Sequence, residues 1–193
     1  MLASITPLGE RSRNSRYAVT AIAFVVGATG GGALIGAIAG GLGRALFAGI
    51  PARGRLTLLA VVVAVMFAAE LWRLPTIRRQ VNEQWMHAYR GWVYGFGYGM
   101  QLGAGVITVV TTGAIYAAIA AEVLTARVGY GLAIGTIFGL IRGITLLAGA
   151  AIRTPRGLVT LDAALRRGER PASWMARSGQ VAVVLVCLGW LMR

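Results

Sequence analysis

Five apolar stretches, separated by short arginine-bearing segments, organise this chain; they lie at roughly 17–42, 56–74, 92–121, 128–151 and 178–192. A bilayer core about 30 Å thick is crossed by about 20 helical residues at about 1.5 Å each. The second and fourth stretches fit that length. The first and third are longer and rich in glycine, which predicts tilted or interrupted helices. The fifth reaches span length only with Arg177 and Arg193 snorkelling at its ends. The pattern predicts an all-α, polytopic integral membrane protein of about five transmembrane helices. The N-terminal arginines followed by an apolar run imitate a signal peptide, but the run continues through LIGAIAGGLG. It therefore reads as a first membrane helix.

Composition strengthens this reading. The chain is 57% hydrophobic, with a mean hydropathy of +0.71 and 13% charged residues, against about 25% charged in soluble domains. Lipid must be the solvent for most of it. The net charge of +13 comes from 19 basic residues, all arginine, spread between apolar runs rather than gathered on one soluble face. That distribution points to anionic lipid headgroups as partners, not nucleic acid. Exclusive use of arginine fits a GC-rich bacterial base composition first and bidentate phosphate contacts second. With the N-terminus inside, the inner segments carry thirteen arginines and the outer segments five, leaving Arg142 within a helix. This orients a multi-pass protein of the inner (plasma) membrane, N-terminus cytoplasmic, although the first outer loop still holds Arg44, Arg53 and Arg55.

Within this frame, residues 1–16 form a cytoplasmic N-terminal segment and 17–151 a membrane domain. Residues 152–177 form a cytoplasmic amphipathic loop, and 178–193 a C-terminal membrane helix. In the loop, Leu158, Leu161 and Leu165 fall at helical spacing beside Arg166 and Arg167, predicting a short helix on the inner leaflet that stops at Gly168 and Pro171. Trp85, Tyr89, Trp92, Tyr94, Phe96 and Tyr98 read as an interfacial aromatic belt.

The membrane domain carries a weak duplication. A shift of 72 residues brings Gly27 onto Gly99, Gly31 onto Gly103, Ile35 onto Ile107 and Gly41 onto Gly113. The repeats, 17–84 and 90–151, would each be a helix pair. Glycines four apart let helix backbones approach closely; they also mark the glycine-interrupted segments that bind solutes in transporters. Both readings stay open. The shift sets Glu70 against Arg142, two ionisable groups whose insertion costs about 2.5–3.5 kcal/mol each unless they face protein or water. They could pair across the halves or hold a solute or ion. Gln101 and Thr29 coincide under the shift and join them as binding candidates. Thr108, Thr111 and Thr112 are further intramembrane hydroxyls, which ordinarily bond to their own helix.

Several chemistries are excluded. Cys187 is the only cysteine, so no internal disulfide or CxxC pair exists; in VVLVCLGW it reads as an apolar filler. His87 lacks acidic or cysteine partners at ligand spacing, so no metal site is expected. No catalytic triad, paired carboxylates, P-loop or HExxH occurs, so neither an enzyme nor a cofactor is expected.

Paired glycine-broken helices, together with the phrase FGLIRG at Phe138–Gly143, resemble the transmembrane electron carriers of cytochrome c biogenesis and thiol–disulfide exchange (the CcdA and DsbD type). The resemblance covers roughly residues 20–150 and implies a shared scaffold. In that superfamily each broken helix places a cysteine beside a proline. Gly27–Gly36 and Gly99–Thr108 contain neither, so thiol electron transfer is not carried over. The expected function is transporter-like: moving, or helping to move, a small solute or ion. The alternative is a non-catalytic subunit or assembly factor, packing through its glycine faces against a membrane-protein partner or a second copy.

Overall fold

The structure is a computed structural model that describes residues 5–71, 89–105 and 113–192, the side chains at 71, 169 and 170 excepted. Trp85, His87, Thr108, Thr111 and Thr112 lie outside the described residues, as do Arg73, Arg78 and Arg79. All regular structure in the described residues is helical: α1 (Pro7–Ser12), α2 (Tyr17–Phe47), α3 (Ala52–Leu71), α4 (Gly91–Gly103), α5 (Ala114–Leu124), α6 (Val128–Ile144) and α7 (Pro155–Leu191). A 3₁₀ turn at Thr145–Gly149 prolongs α6. Helices dominate because lipid offers the backbone no hydrogen bonds, so each segment must satisfy its own.

Among the described residues, four helices are long and apolar enough to cross a membrane: Tyr17–Phe47, Ala52–Glu70, Val128–Gly149 and Pro155–Leu191. Their large apolar side chains, among them Ile22, Leu46, Ile141, Leu185 and Trp190, stand exposed. So much outward apolar surface suits hydrocarbon rather than water. The chain is a membrane-embedded helical protein.

Two expectations change, and a third is met. The first apolar stretch is not interrupted: α2 runs unbroken for 31 residues, through GATGGGALIG. A glycine costs a helix about 1 kcal/mol relative to alanine, whereas an unsatisfied backbone group in lipid costs several. The helix therefore wins. The third stretch, by contrast, is interrupted, as its glycines predict. GYGMQLG is helical, but α4 ends at Gly103, Ala104 caps it and Gly105 turns at φ +71°; the next helix among the described residues is α5, 11 residues long. Finally, the amphipathic helix does not stop at Gly168 and Pro171. It continues into the C-terminal stretch as a single helix of 37 residues with Pro171 inside. Good helix formers on both sides (DAALRR before, ASWMAR after) outweigh the missing proline N–H.

The chain folds as two compact units: Met1–Ala33, Arg79–Ile107 and Thr136–Glu169 form one, and Leu34–Arg78, Thr108–Gly135 and Arg170–Arg193 the other. The first unit centres on Ile5, Ala21, Phe24, Tyr94, Tyr98 and Leu146, with Tyr17 and Leu102 packed around them. From Ile5 onward the segment before α2 packs onto this core. Thr6 accepts from the Gly9 amide to cap α1, and the Leu8 amide donates to the Ile152 carbonyl at 3.2 Å.

Glycines bring α2 and α4 together in this unit. A Cβ on Gly27 would overlap the Phe96 carbonyl and one on Gly31 the Met100 carbonyl; reciprocally, Gly99 faces the Phe24 carbonyl and Gly103 that of Ala28. Each contact becomes its reciprocal when both residues move by the same 72 positions. The third wall is α6, whose Gly139 and Gly143 seat against Ala28 and Val25.

In the second unit the same device recurs between other partners. Gly36 of α2 and Gly131 of α6 meet backbone to backbone, Gly40 sits against Arg127, and Gly43 against Val123. Here α3 packs against α5, with Gly113 close to the Met66 backbone.

Candidate functional site

Among the described residues, each unit contains one carboxylate held by several donors. In the second unit this is Glu70, the penultimate residue of α3, whose side chain is 5% exposed. Arg177 of α7 donates its Nε–H to Oε1 at 3.0 Å, Gln180 donates to Oε2 at 3.1 Å, and the Gly113 amide donates to Oε2 at 2.8 Å. Arg177 and Gln180 lie three apart on α7, hence on one helix face. Gly113 is the N-cap of α5. The carboxylate therefore sits where the positive end of the α5 dipole favours an anion.

The opposite end of α5 is held in the complementary way. Arg55, in the first turn of α3, donates from Nη1 to the Thr125 carbonyl at 3.1 Å. A single helix, α3, thus supplies an anion to the N-terminus of α5 and a cation to its C-terminus. This gives a local role to an arginine that fitted poorly in the outer-loop count. Near the same end of α5, Glu122 is 3% exposed, and its Oε2 finds no hydrogen-bond partner among the described residues.

In the first unit the carboxylate is Glu10, fully buried on α1. The Tyr94 hydroxyl donates to it at 2.6 Å from Oε1 and 2.7 Å from Oε2. Thr20 donates at 2.8 Å and Arg13 at 2.6 Å. Arg13 also covers the Tyr94 ring, 5.7 Å from its centroid. Burial by itself would raise the Glu10 pKa, but the hydrogen bonds from Tyr94, Arg13, Thr20 and Ser15 outweigh it and hold the carboxyl below its ordinary value. Arg13 shows the converse: burial would lower its pKa, but Glu10 and Tyr94 raise it.

The candidates from sequence fall into place unequally. Glu70 is a polar junction, but its cation is Arg177 rather than Arg142. Arg177 consequently binds a carboxylate instead of snorkelling. Arg142 belongs to the first unit and lies over the Phe138 ring, 5.2 Å from the centroid. Thr29 donates to the Val25 carbonyl of its own helix at 2.8 Å, the ordinary habit of an intramembrane hydroxyl. Gln101 sits in the last turn of α4, its buried Oε1 lacking a partner among the described residues. Neither occupies a broken stretch of helix. Gly27, Gly31, Gly99 and Gly103 are all consumed in the packing of α2 on α4. Among the described residues no group of histidine, cysteine and acidic side chains could hold a metal ion.

The aromatic belt is only partly a belt. Trp92 and Phe96 face outward, whereas Tyr94 and Tyr98 are 1% exposed, their rings 6.2 Å apart. Glu10 and Tyr94 are the principal site residues that sequence reasoning missed. The available signal was the i, i+4 spacing of the two tyrosines, opposite the Trp92/Phe96 pair. No family model, curated protein or solved structure matches this chain, so the resemblance to thiol–disulfide electron carriers gains no support from them.

Proposed function

We propose that this is a small multi-pass protein of a bacterial inner membrane, N-terminus cytoplasmic, that moves or helps to move a small solute or ion. Its working element is the interrupted third apolar stretch. One observation carries the reading: the Glu70 carboxylate is bound to the Gly113 amide at the head of the half-helix α5 and shared with Arg177 and Gln180. Interrupted backbone with charged groups at its ends is how membrane proteins build solute sites, because free backbone dipoles are tolerated only where protein or a polar cavity satisfies them. An ionisable side chain at such a place points to function by default. In this reading Glu70 and Arg177 latch α5, and neutralising either one frees its head. The reciprocal glycine contacts of α2 and α4 support a 72-residue duplication as the origin of the scaffold.

The test is purified protein in liposomes carrying imposed proton and potassium gradients, followed with a pH-sensitive dye. Wild-type vesicles should dissipate a gradient faster than protein-free ones, and Glu70→Gln should remove most of the excess. Wild-type vesicles as tight as empty ones, with a stoichiometric partner co-purifying from the membrane, would favour the alternative of a non-catalytic subunit. That alternative would need a contact surface other than Gly27, Gly31, Gly99 and Gly103, which are already occupied within the chain.

A further inference from the structure

A cavity of about 550 Å³ opens in the first unit between α1, the start of α2 and the connection from α6 to α7. Its charged lining consists of Arg11, Arg16 and Arg153, with Asn14, Ser15 and Tyr17 beside them. The three arginines come from three separate segments, each fixed in place. Arg11 is in the last turn of α1, which Glu10 ties to Thr20 and Tyr94. Arg16 directly precedes α2. Arg153 follows the buried Ile152, whose carbonyl accepts the Leu8 amide. The Tyr17 hydroxyl, at 3.5 Å from the Leu146 carbonyl, spans from α2 to the turn after α6.

Three guanidinium groups are thus brought to one cavity whose lining, among the described residues, includes no acidic side chain. The nearest acid in sequence, Glu10, is not in the lining; its oxygens are taken by Tyr94, Thr20 and Arg13. Arg13 is likewise committed, which separates it from Arg11 and Arg16. Like charges held together without a counter-charge repel, and an anion relieves that cost. The volume lies within the roughly 300–1,000 Å³ typical of ligand pockets, and the mainly polar lining suits a polar occupant. Guanidinium forks match phosphate oxygens in pairs. The cavity also adjoins the ends of two membrane-length helices, Tyr17–Phe47 and Val128–Gly149, the level at which headgroups lie.

We propose that this cavity binds a phosphate group, carried either by a lipid headgroup or by a free phosphate. The site is independent of the Glu70 latch. Binding is measured by native mass spectrometry and titration calorimetry on the detergent-purified full chain. The probes are inorganic phosphate, dioctanoyl phosphatidylglycerol, and dioctanoylglycerol as the phosphate-free comparator. Wild type should bind a phosphate probe saturably. Combined Arg11→Gln, Arg16→Gln and Arg153→Gln should weaken binding at least about tenfold, because charge-assisted contacts are lost. Equal charge removal at exposed Arg156, Arg166 and Arg167 should change it by less than about twofold. Binding of inorganic phosphate would identify the free anion as sufficient; binding only of phosphatidylglycerol would identify the headgroup. Either result supports the site. If the triple variant does not fold, the three single variants replace it, each expected to weaken binding by about threefold. Equal weakening by both triple variants, equal binding of dioctanoylglycerol, or no saturable binding of a phosphate probe would overturn the proposal.

Discussion

At the residue scale, glycine and glutamate carry the most information, and they differed in how far the sequence disclosed them. The GxxxG spacing of Gly27/Gly31 and Gly99/Gly103 announced close backbone packing, and the structure uses all four in that way. Gly30, one residue away, has nothing within 4 Å of a Cβ. Gly31→Ala or Gly103→Ala should therefore destabilise the purified protein by about 1–3 kcal/mol through overpacking, while Gly30→Ala should be neutral or slightly stabilising. Reversible unfolding in mixed micelles measures the difference. Glu10 was not legible, because GER before a membrane helix looks like an ordinary solvated loop; only the fold brings Tyr94 and Thr20 to it. Since its native pKa lies below the ordinary value of 4.5, the stability it contributes is complete above that pH. It is lost as pH falls through the lower native pKa. The stability gap between wild type and Glu10→Gln should accordingly be constant at neutral pH and shrink on acidification below about pH 4.5. Removing the partner entirely with Glu10→Ala should cost on the order of 3 kcal/mol at pH 7, because Arg13 is left largely buried without its counter-charge.

At the scale of elements, apolar length foretold where helices would lie, and glycine runs foretold one break correctly and one falsely. The glycines of α2 looked like an interruption and are a packing face. The actual break follows Gly103, where α4 has packed its last glycine against Ala28 and Gly105 takes a left-handed turn. What compensates the short α5 is long-range and therefore invisible in local pattern: Glu70 and Arg55, fifteen positions apart on α3, hold opposite ends of its dipole. Each terminal charge contributes roughly 0.3–1 kcal/mol, and up to about 2 when partly buried. Arg55→Gln and Glu70→Gln should each speed hydrogen exchange of α5 amides while leaving α4 unchanged. Uniform acceleration of both helices would mean the contacts do not act on α5. The continuity of α7 through Pro171 gives a simpler expectation. Pro171→Ala restores a backbone donor and should stabilise the protein by up to about 3 kcal/mol; a fall in stability would show that the proline is required at that position.

On the scale of the whole molecule, the solvent was legible at once. Exposed Ile22, Ile141 and Leu185 suit lipid rather than water, and the apolar runs that contain them overlap helices of membrane length. The division into units was not legible, because each unit gathers pieces from every part of the chain. Helix α2, for example, contributes its first half to one unit and its second half to the other. Arg11, Arg13, Arg16, Arg90 and Arg153 belong to the first unit, whereas Arg177, read from sequence as an inner arginine, joins Arg44, Arg53, Arg55 and Arg127 in the second, so the units do not follow the arginine count. The proposed orientation of the whole molecule depends on α2 crossing the bilayer once with its N-terminus inside. It is tested most directly by labelling single cysteines with an impermeant maleimide in intact cells, using Ser12→Cys and Ala48→Cys in a Cys187→Ala background. These two positions, neither of them buried, flank α2. Position 48 should label in intact cells and position 12 only after the membrane is opened; labelling of both from the same side, or of position 12 alone from outside, would contradict this orientation.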